Sequence, residues 1–559
     1  MEACEPRAEP TVTVKGLTLR YGGFEALSNV SMEIGRGRIL GIVGESGSGK
    51  STMAKAILGL LPSSATITEG EILFDKQDLS RISADALRDI RGQRITYISQ
   101  DPLRALTPTL TIGDQMTDIQ YRSGLSMSEK KKRAVAMLDR VGMPDPEQRL
   151  GMYPHELSGG QRQRVSIAMA VMMQPDLLIA DEATTALDAT LEQEIIKLLK
   201  ELQREIGCSM MFVTHHLGVV ASLCDDVVVM HNGIVREAGT VPDVFGNPQD
   251  AYTKMLLRCD PAWISEKTRH LPITSDDPDA PIVIETGPPD RIKSNEPPIL
   301  DIEDLHVTFS KNGLLEKLFG DAYDIEAVKG VNLHLHEGET LAIVGESGSG
   351  KTTVARTIIG LQKADSGSVK FGGRELLGLS AGELKSIRKE ITFIFQDPIG
   401  SLSPRMRVAD TVVEPLRIHD VKTADFDAEA ARLLDLVGLN TDYMERYPHE
   451  LSGGQARRVA VARAIALEPS LIIADEPTAG LDVSIQGEVL NLLAEIQDRT
   501  GVAMLMITHN LNVVRHVSDR VAIMYQGNFL ELETTERIFE NPQHDYTRRL
   551  IAANHHPNF

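Results

Sequence analysis

The chain has 559 residues, a formal charge of −21 at pH 7 and four cysteines. This length predicts several compact units, and the acidic excess argues against nucleic acid as a partner. The cysteines lack C-x-x-C or other metal-ligand spacing, which favours reduced thiols and a cytosolic chain. No apolar run is long enough to cross a membrane, and the acidic N-terminus does not resemble a signal peptide.

The first elements that carry chemistry are a strand, a glycine-rich loop and a helix. Apolar residues 39–43 lead into residues 44–52 (GESGSGKST), and the order recurs with residues 341–344 and 345–353 (GESGSGKTT). In G-x-x-x-x-G-K-[ST], backbone N–H groups cradle phosphates, the lysine reaches the β- and γ-phosphates, and the hydroxyl ligates Mg²⁺. An ordinary strand-turn-helix junction is the alternative. We predict two sites for ATP and Mg²⁺, formed by Gly44, Glu45, Ser46, Gly47, Ser48, Gly49, Lys50, Ser51 and Thr52, and by Gly345, Glu346, Ser347, Gly348, Ser349, Gly350, Lys351, Thr352 and Thr353.

Further along, an apolar strand ends in two acids in each half. LLIA precedes Asp181 and Glu182, and LIIA precedes Asp475 and Glu476. The end of an ordinary strand, with no role in binding or catalysis, gives the same sequence pattern. With a phosphate loop upstream, however, the first acid is placed to hold Mg²⁺ and the second to polarise the attacking water.

The halves are a domain duplication with a period near 300 residues, far longer than a solenoid repeat. We assign residues 1–10 to a tail, 11–258 to one cassette, 299–552 to a second and 553–559 to another tail. Residues 259–298 interleave prolines with acids, which predicts a semi-extended, flexible linker. A folded third domain is the alternative, since WIS near Trp263 and IVI at residues 282–284 could dock locally.

The order of motifs in each half resembles the nucleotide-binding domains of ATP-binding-cassette (ABC) transporters. The phosphate loop is followed by SQDP at Gln100, LSGGQ at 157–161, LIADE, TALD at 185–188 and VTHH at His215. The second half has FQDP at Gln396, LSGGQ at 451–455, IIADE, AGLD at 479–482 and ITHN at His509. The resemblance implies an α/β fold of two P-loop NTPase cassettes, each a RecA-like core with antiparallel β and helical subdomains.

The resemblance also implies the roles of further residues. Glu182 and Glu476 would activate water, with His215 and His509 as the switch histidines. Gln100 and Gln396 would sense Mg²⁺ and water and mark the groove where membrane subunits dock. Tyr21 and Phe309 match the aromatic residue that stacks on adenine, although an aromatic residue buried in a strand would give the same sequence pattern. Metal ligands would be Ser51, Gln100, Asp181, Thr352, Gln396 and Asp475.

In this family two cassettes pack head to tail, so each ATP lies between one phosphate loop and the other cassette's signature. The implied signature contacts are Ser158, Gly159, Gly160 and Gln161, and Ser452, Gly453, Gly454 and Gln455. Asp188 and Asp482 match the loop that connects the two sites. Because both sets are intact, we predict that both sites hydrolyse ATP.

Both halves contain YPHELSGGQ and end in similar segments, NPQDAYT and NPQHDYT, which resemble the ATPases of oligopeptide and dipeptide importers. An insertion at residues 311–324 resembles one in the second ATPase of such systems. The resemblance implies a peripheral subunit on the cytoplasmic face of the inner membrane, with two integral-membrane permease subunits and an extracytoplasmic solute-binding protein as partners. Only Cys259 follows the first cassette and no cysteine follows the second, so we predict no iron-sulfur cluster. A sugar or opine importer ATPase, or a soluble tandem ABC ATPase without a transport role, is the alternative.

Overall fold

The computed structural model describes residues 9–184, 187–264, 267–273, 296–310 and 324–554. The described residues divide into two compact units: the first ends at Trp263, and the second contains residues 264–273 and the chain up to Asn554. Most of the predicted linker, residues 311–323 of the predicted insertion, and most of both tails lie outside the described residues.

A six-stranded sheet forms the centre of each unit. The strand that leads into the phosphate loop, Ile39–Val43 or Thr340–Val344, is buried at every position, because helices cover both faces of a parallel sheet. It pairs in parallel with a strand on each side. In matching spatial order, the strands are Ile95–Ile98, Leu177–Asp181, Ser209–Val213, Ile39–Val43, Asp226–His231 and Ile234–Thr240, and Ile391–Ile394, Leu471–Asp475, Ala503–Thr508, Thr340–Val344, Arg520–Tyr525 and Asn528–Thr534.

A smaller antiparallel sheet accompanies each central sheet. Its strands are Phe24–Ile34, Val12–Tyr21, Ala65–Phe74 and Gln77–Asp78 in the first unit, and Asp324–Leu335, Leu300–Ser310, Ser366–Phe371 and Arg374–Glu375 in the second. Alternate residues of these strands are buried, which is the pattern of a sheet with one face on the core.

Helices complete both units. The first has Lys50–Leu58, Ala84–Ile90, Pro102–Ala105, Ile112–Asp118, Met127–Arg140, Pro146–Arg149, Gly159–Met172, Ala189–Ile206, Leu217–Leu223, Val241–Gly246 and Ala251–Cys259, with short 3₁₀ turns at Pro154–Glu156 and Pro261–Trp263. The second has Lys351–Ile358, Ala381–Ile387, Val408–Ile418, Phe426–Leu436, Gly453–Ile465, Val483–Thr500, Leu511–Val517, Thr535–Glu540 and Asp545–Ala552, with 3₁₀ turns at Thr441–Tyr443 and Pro448–Glu450.

Three helices of each unit pack together beside the central sheet and form the helical subdomain. In the second unit these are Val408–Ile418, Phe426–Leu436 and Gly453–Ile465, joined by one buried apolar cluster. The RecA-like sheet, the antiparallel sheet and the helical subdomain therefore all occur twice. The predicted fold class is confirmed.

Part of the segment expected to be a tether is packed against the second unit. Ile264 and Leu271 are 5% and 2% exposed and lie in its apolar cluster. Arg269 donates to Asp498, and the backbone of Leu271 exchanges two hydrogen bonds of 2.8 Å with Asn491. The proline content predicted a tether, yet these apolar side chains are buried in the second unit. We call residues 267–273 the strap.

Within the described ranges, none of the helices has the length and apolar content needed to cross a bilayer.

Candidate functional site

Each phosphate loop curls around the amino group of its own lysine. Lys50 Nζ donates to the carbonyl oxygens of Gly44 and Glu45 at 2.7 and 2.8 Å, and Lys351 Nζ makes the two matching bonds at 2.8 Å each. Both lysines are almost fully buried, at 5% and 6% exposure. The loop thus holds a cation at its centre, as an anion-binding cradle requires.

A glycine in the left-handed region connects each loop to its helix. Gly49 caps Lys50–Leu58 with a φ of 101°, and Gly350 caps Lys351–Ile358 with a φ of 110°. A Cβ at Gly49 would lie 3.1 Å from the Ala26 carbonyl oxygen and 2.6 Å from Leu27. The close backbone packing behind the loop therefore requires glycine, and it turns the helix N-terminus toward the space inside the loop.

The hydroxyl after each lysine meets the first acid of the acidic strand. Ser51 Oγ donates to Asp181 Oδ1 at 3.1 Å, and Thr352 Oγ1 donates to Asp475 Oδ1 at 3.2 Å. Hydroxyl and carboxylate oxygens converging at the edge of a phosphate loop are the donor set that Mg²⁺ prefers. The residues present therefore fit a magnesium ion at this edge in each cassette.

Burial raises the pKa of Asp181 and of Asp475, although the hydroxyl hydrogen bonds oppose this change. In the first cassette the Tyr97 hydroxyl also donates to Asp181 Oδ2 at 3.1 Å. Phe393 occupies the matching position in the second cassette and has no hydroxyl. A bound divalent cation would stabilise the ionised form of either carboxylate.

The second acid of each pair has a strained backbone. Glu182 and Glu476 both have a φ of 50°, a conformation that costs about 1–3 kcal/mol outside glycine. Their amides donate to Val213 O and Ile507 O, each at 2.8 Å. The neighbouring strand thus fixes the turn in which each carboxylate leaves the sheet.

A histidine from the next strand contacts each of these glutamates. His509 Nδ1 lies 3.0 Å from Glu476 Oε1 and His215 Nδ1 lies 3.4 Å from Glu182 Oε1. Burial acts to raise the pKa of Glu476, but the hydrogen bond with His509 and the positive charges around the carboxylate outweigh burial, so the pKa is lowered. An ionised carboxylate is the form that can accept a proton from water.

The two predicted glutamines differ between the cassettes. Gln100 Nε2 donates to Glu182 Oε2 at 2.6 Å. For Gln396 the contact is instead made by its backbone carbonyl oxygen, which accepts a hydrogen bond from Arg457 at 3.3 Å. The structure therefore brings together Ser51, Gln100, Asp181, Glu182 and His215 in one cassette, and Thr352, Asp475, Glu476 and His509 in the other.

Other predicted residues lie in strands or at the starts of helices. Tyr21 ends the strand Val12–Tyr21, and Phe309 is 42% exposed in its strand. Ser158 and Ser452 begin the signature helices in capping boxes closed by Gln161 and Gln455. Asp188 and Asp482 precede the helices Ala189–Ile206 and Val483–Thr500.

A tyrosine from the end of each cassette contacts the phosphate loop, and sequence reasoning did not assign it to the site. The Tyr252 hydroxyl accepts from the Glu45 amide at 3.3 Å, and the Tyr546 hydroxyl accepts from the Glu346 amide at 3.2 Å. Both tyrosines lie in the NPQxxYT segments that served only to indicate the family. Their repetition in both halves is the signal that could have found them.

The comparisons with known proteins agree with this arrangement. The ABC transporter family matches residues 27–185 and 328–479, and the C-terminal region of the oligopeptide/dipeptide transporter family matches residues 530–558. The fold and the site define an ATP-binding ATPase built from two cassettes. The chain belongs to the ABC transporter family.

Several relatives align over almost the whole chain. The glutathione import ATP-binding protein GsiA of Escherichia coli strain K12 is 42% identical over 543 residues, which is 94% of this chain and 86% of that protein. The GsiA protein of a Salmonella paratyphi A strain is 41% identical over 560 aligned positions, covering 97% of this chain and 89% of the relative. The tandem arrangement is therefore shared with these relatives.

Proposed function

We propose that this protein is the ATP-hydrolysing subunit of a bacterial importer for peptides or a related small solute such as glutathione. The observation that carries the proposal is the full hydrolysis set, present twice: lysine, hydroxyl, two acids and histidine in each cassette. The C-terminal match to peptide transporters and the names of the relatives support the cargo class.

In each cassette the residues have distinct roles. Lys50 and Lys351 bind the β- and γ-phosphates, and Glu182 and Glu476 accept a proton from the attacking water. His215 and His509 hold these carboxylates in place. The hydroxyl and first-acid pairs, together with Gln100 and Gln396, would hold Mg²⁺, which would supply positive charge during phosphoryl transfer.

Each ATP is completed by the signature of the other cassette. The signature helices begin with serine and glycine N–H groups, which form a second anion-binding terminus. ATP binding draws the cassettes together, and loss of the γ-phosphate contact lets them part. The duplication in one chain fits this requirement, because the chain then carries two phosphate loops and two signatures.

An apolar cleft beside Gln100 supports docking of membrane subunits. Leu60 and Tyr121 are 50% and 62% exposed, and both line a cleft with Ser99, which precedes Gln100. In the second cassette Leu361 and Ile399 are 56% and 44% exposed. An exposed apolar surface that borders a cleft is typical of protein contact sites. We assign both surfaces to two permease subunits, which place the protein at the membrane periphery, and through them to a solute-binding protein.

Uptake by vesicles tests this function. Membranes containing the permease subunits, the solute-binding protein and this chain should accumulate a labelled peptide or glutathione only with Mg-ATP. Leu60→Asp together with Leu361→Asp should prevent recovery of the chain with the permease subunits. Recovery with ribosomes or DNA, and not with integral-membrane subunits, would contradict the importer function.

A further inference from the structure

The two signature helices differ two residues after the signature. Arg457 lies in Gly453–Ile465, whereas Gln163 holds the matching position in Gly159–Met172. Both side chains are only 2% exposed. A buried guanidinium needs hydrogen bonds that compensate for its lost hydration. The partners of Arg457 therefore indicate what it does.

Arg457 donates to three backbone carbonyls around the hydrolysis site. Nη1 lies 3.0 Å from Glu476 O, and Nη2 lies 3.3 Å from Gln396 O and 3.3 Å from Ala479 O. Glu476 is the residue with the strained φ of 50°, and Ala479 lies in the turn that leads to Asp482. One planar group thus joins three backbone segments, at Gln396, at Glu476 and at Ala479.

Gln163 does not supply this connection in the first cassette. Its Nε2 is buried and has no hydrogen-bond partner within the described part of the chain. An amide is also neutral and has fewer donors than a guanidinium.

We propose that Arg457 is a positioning residue that ties the second signature helix to the backbone of Glu476 and Gln396, an inference that rests on the proposed roles of those two residues. The helix that carries Arg457 begins at Ser452, which the proposed function places against the ATP of the first phosphate loop. Arg457 therefore links a residue that faces one ATP to the groups that hydrolyse the other. Among the described residues the first cassette shows no equivalent link, and the two sites are unequal in this respect.

Two nearby carboxylates favour a charged side chain at this position. Burial lowers the pKa of the Arg457 guanidinium, and the carboxylates of Asp397 and Glu476 oppose that change. The three carbonyl contacts use both terminal nitrogens, which a shorter side chain cannot reach together.

Steady-state ATP hydrolysis by the full chain tests the proposal. Arg457→Gln should slow both sites, because the side chain holds the hydrolytic groups of the second site and its helix carries Ser452, which faces the ATP of the first. We expect kcat to fall about ten-fold, because small displacements of reacting groups have effects of this order. KM for ATP should stay within about two-fold, because Lys351 and its cradle are untouched. Arg457→Lys should give an intermediate kcat, since an ammonium can still donate to one or two carbonyls. Gln163→Leu is the matched control and should keep the wild-type kcat.

A kcat for Arg457→Gln within about two-fold of wild type would overturn the proposal, as would an equal loss in Gln163→Leu. Parallel changes in kcat and KM would mean a general structural role and would also overturn it. If Arg457→Gln does not fold, Arg457→Lys decides by the same criteria. The Glu182→Gln, Glu476→Gln double variant distinguishes failure of this inference from failure of the proposed function. If the double variant hydrolyses ATP as fast as wild type, the proposed function itself fails.

Discussion

Gln100 Nε2 donates to Glu182 Oε2 at 2.6 Å, so the glutamine before the helical subdomain directly holds the second acid of its own cassette. His215 contacts the other oxygen of the same carboxylate. In the proposed mechanism this carboxylate acts on water, while the lysine and its loop hold the phosphates.

Removing the charge of both glutamates should therefore stop hydrolysis without preventing binding. In the Glu182→Gln, Glu476→Gln double variant, we expect kcat to fall at least about 100-fold, a loss typical of catalytic general bases. Two ATP molecules per chain should remain bound after gel filtration with Mg-ATP. Rapid turnover by this variant would refute the assignment.

Removing either lysine should affect binding and transport. Lys50→Ala or Lys351→Ala leaves a phosphate loop without its central cation, so we expect uptake to fall at least about ten-fold in either variant. Lys197→Ala, an exposed lysine far along the sequence from the loops, is the control. Full uptake by one of the two loop variants would show that its site is dispensable.

The strap should stabilise the second cassette. Asn491→Ala removes the two hydrogen bonds to the Leu271 backbone and leaves buried polar groups unpaired, which costs about 1–3 kcal/mol. Lys197, the matching position of the first cassette, is 80% exposed, so Lys197→Ala should change unfolding by less than about 0.5 kcal/mol. Calorimetry should show an earlier transition only for Asn491→Ala. Identical transitions in both variants would mean that the strap adds no stability.

The pair of His509 and Glu476 predicts a dependence of stability on pH. Glu476 has a folded-state pKa lowered below its ordinary value of 4.5. Its contribution to the free energy of unfolding is therefore present above that value and lost as the pH falls through the lowered pKa. The difference in unfolding free energy between wild type and His509→Gln should narrow as the pH falls from neutral into this range.

Denaturant titrations at several pH values measure this difference, and the same comparison in a Glu476→Gln background is the control. In that background the difference should not narrow in the acidic range, because the titrating carboxylate is absent. A gap for His509→Gln that is constant with pH would show that the histidine does not lower the pKa of Glu476.

Much of the fold and the centre of each site could be predicted from sequence because their residues are adjacent along the chain. A loop such as 44–52 contains its own glycines, lysine and hydroxyl, and the apolar strand before Asp181 ends at the same sheet edge. Because the same order of motifs occurs twice along the chain, two cassettes could also be predicted. These local patterns depend little on distant parts of the chain.

The contacts that sequence did not reveal join distant segments. By sequence pattern alone, Tyr97 is an ordinary aromatic residue of a strand, and Arg457 is one of several arginines on a helix. The segment that contains Ile264 and the strap has the composition of a proline-rich tether, and neither Ile264 nor Leu271 follows a helix or strand period. Only the packed structure shows which of these side chains meet buried groups.

The sharing of each ATP between cassettes is the central claim, and labelling with a photoreactive adenine analogue tests it most directly. The Glu182→Gln, Glu476→Gln chain should be labelled on the peptide containing Tyr21 and on the peptide containing Phe309. Adding Ser452→Arg places a bulky group in the second signature, so labelling near Tyr21 should fall much more than labelling near Phe309. Adding Ser158→Arg should give the reverse pattern. Loss of label on the cassette that itself carries the arginine would contradict the shared sites.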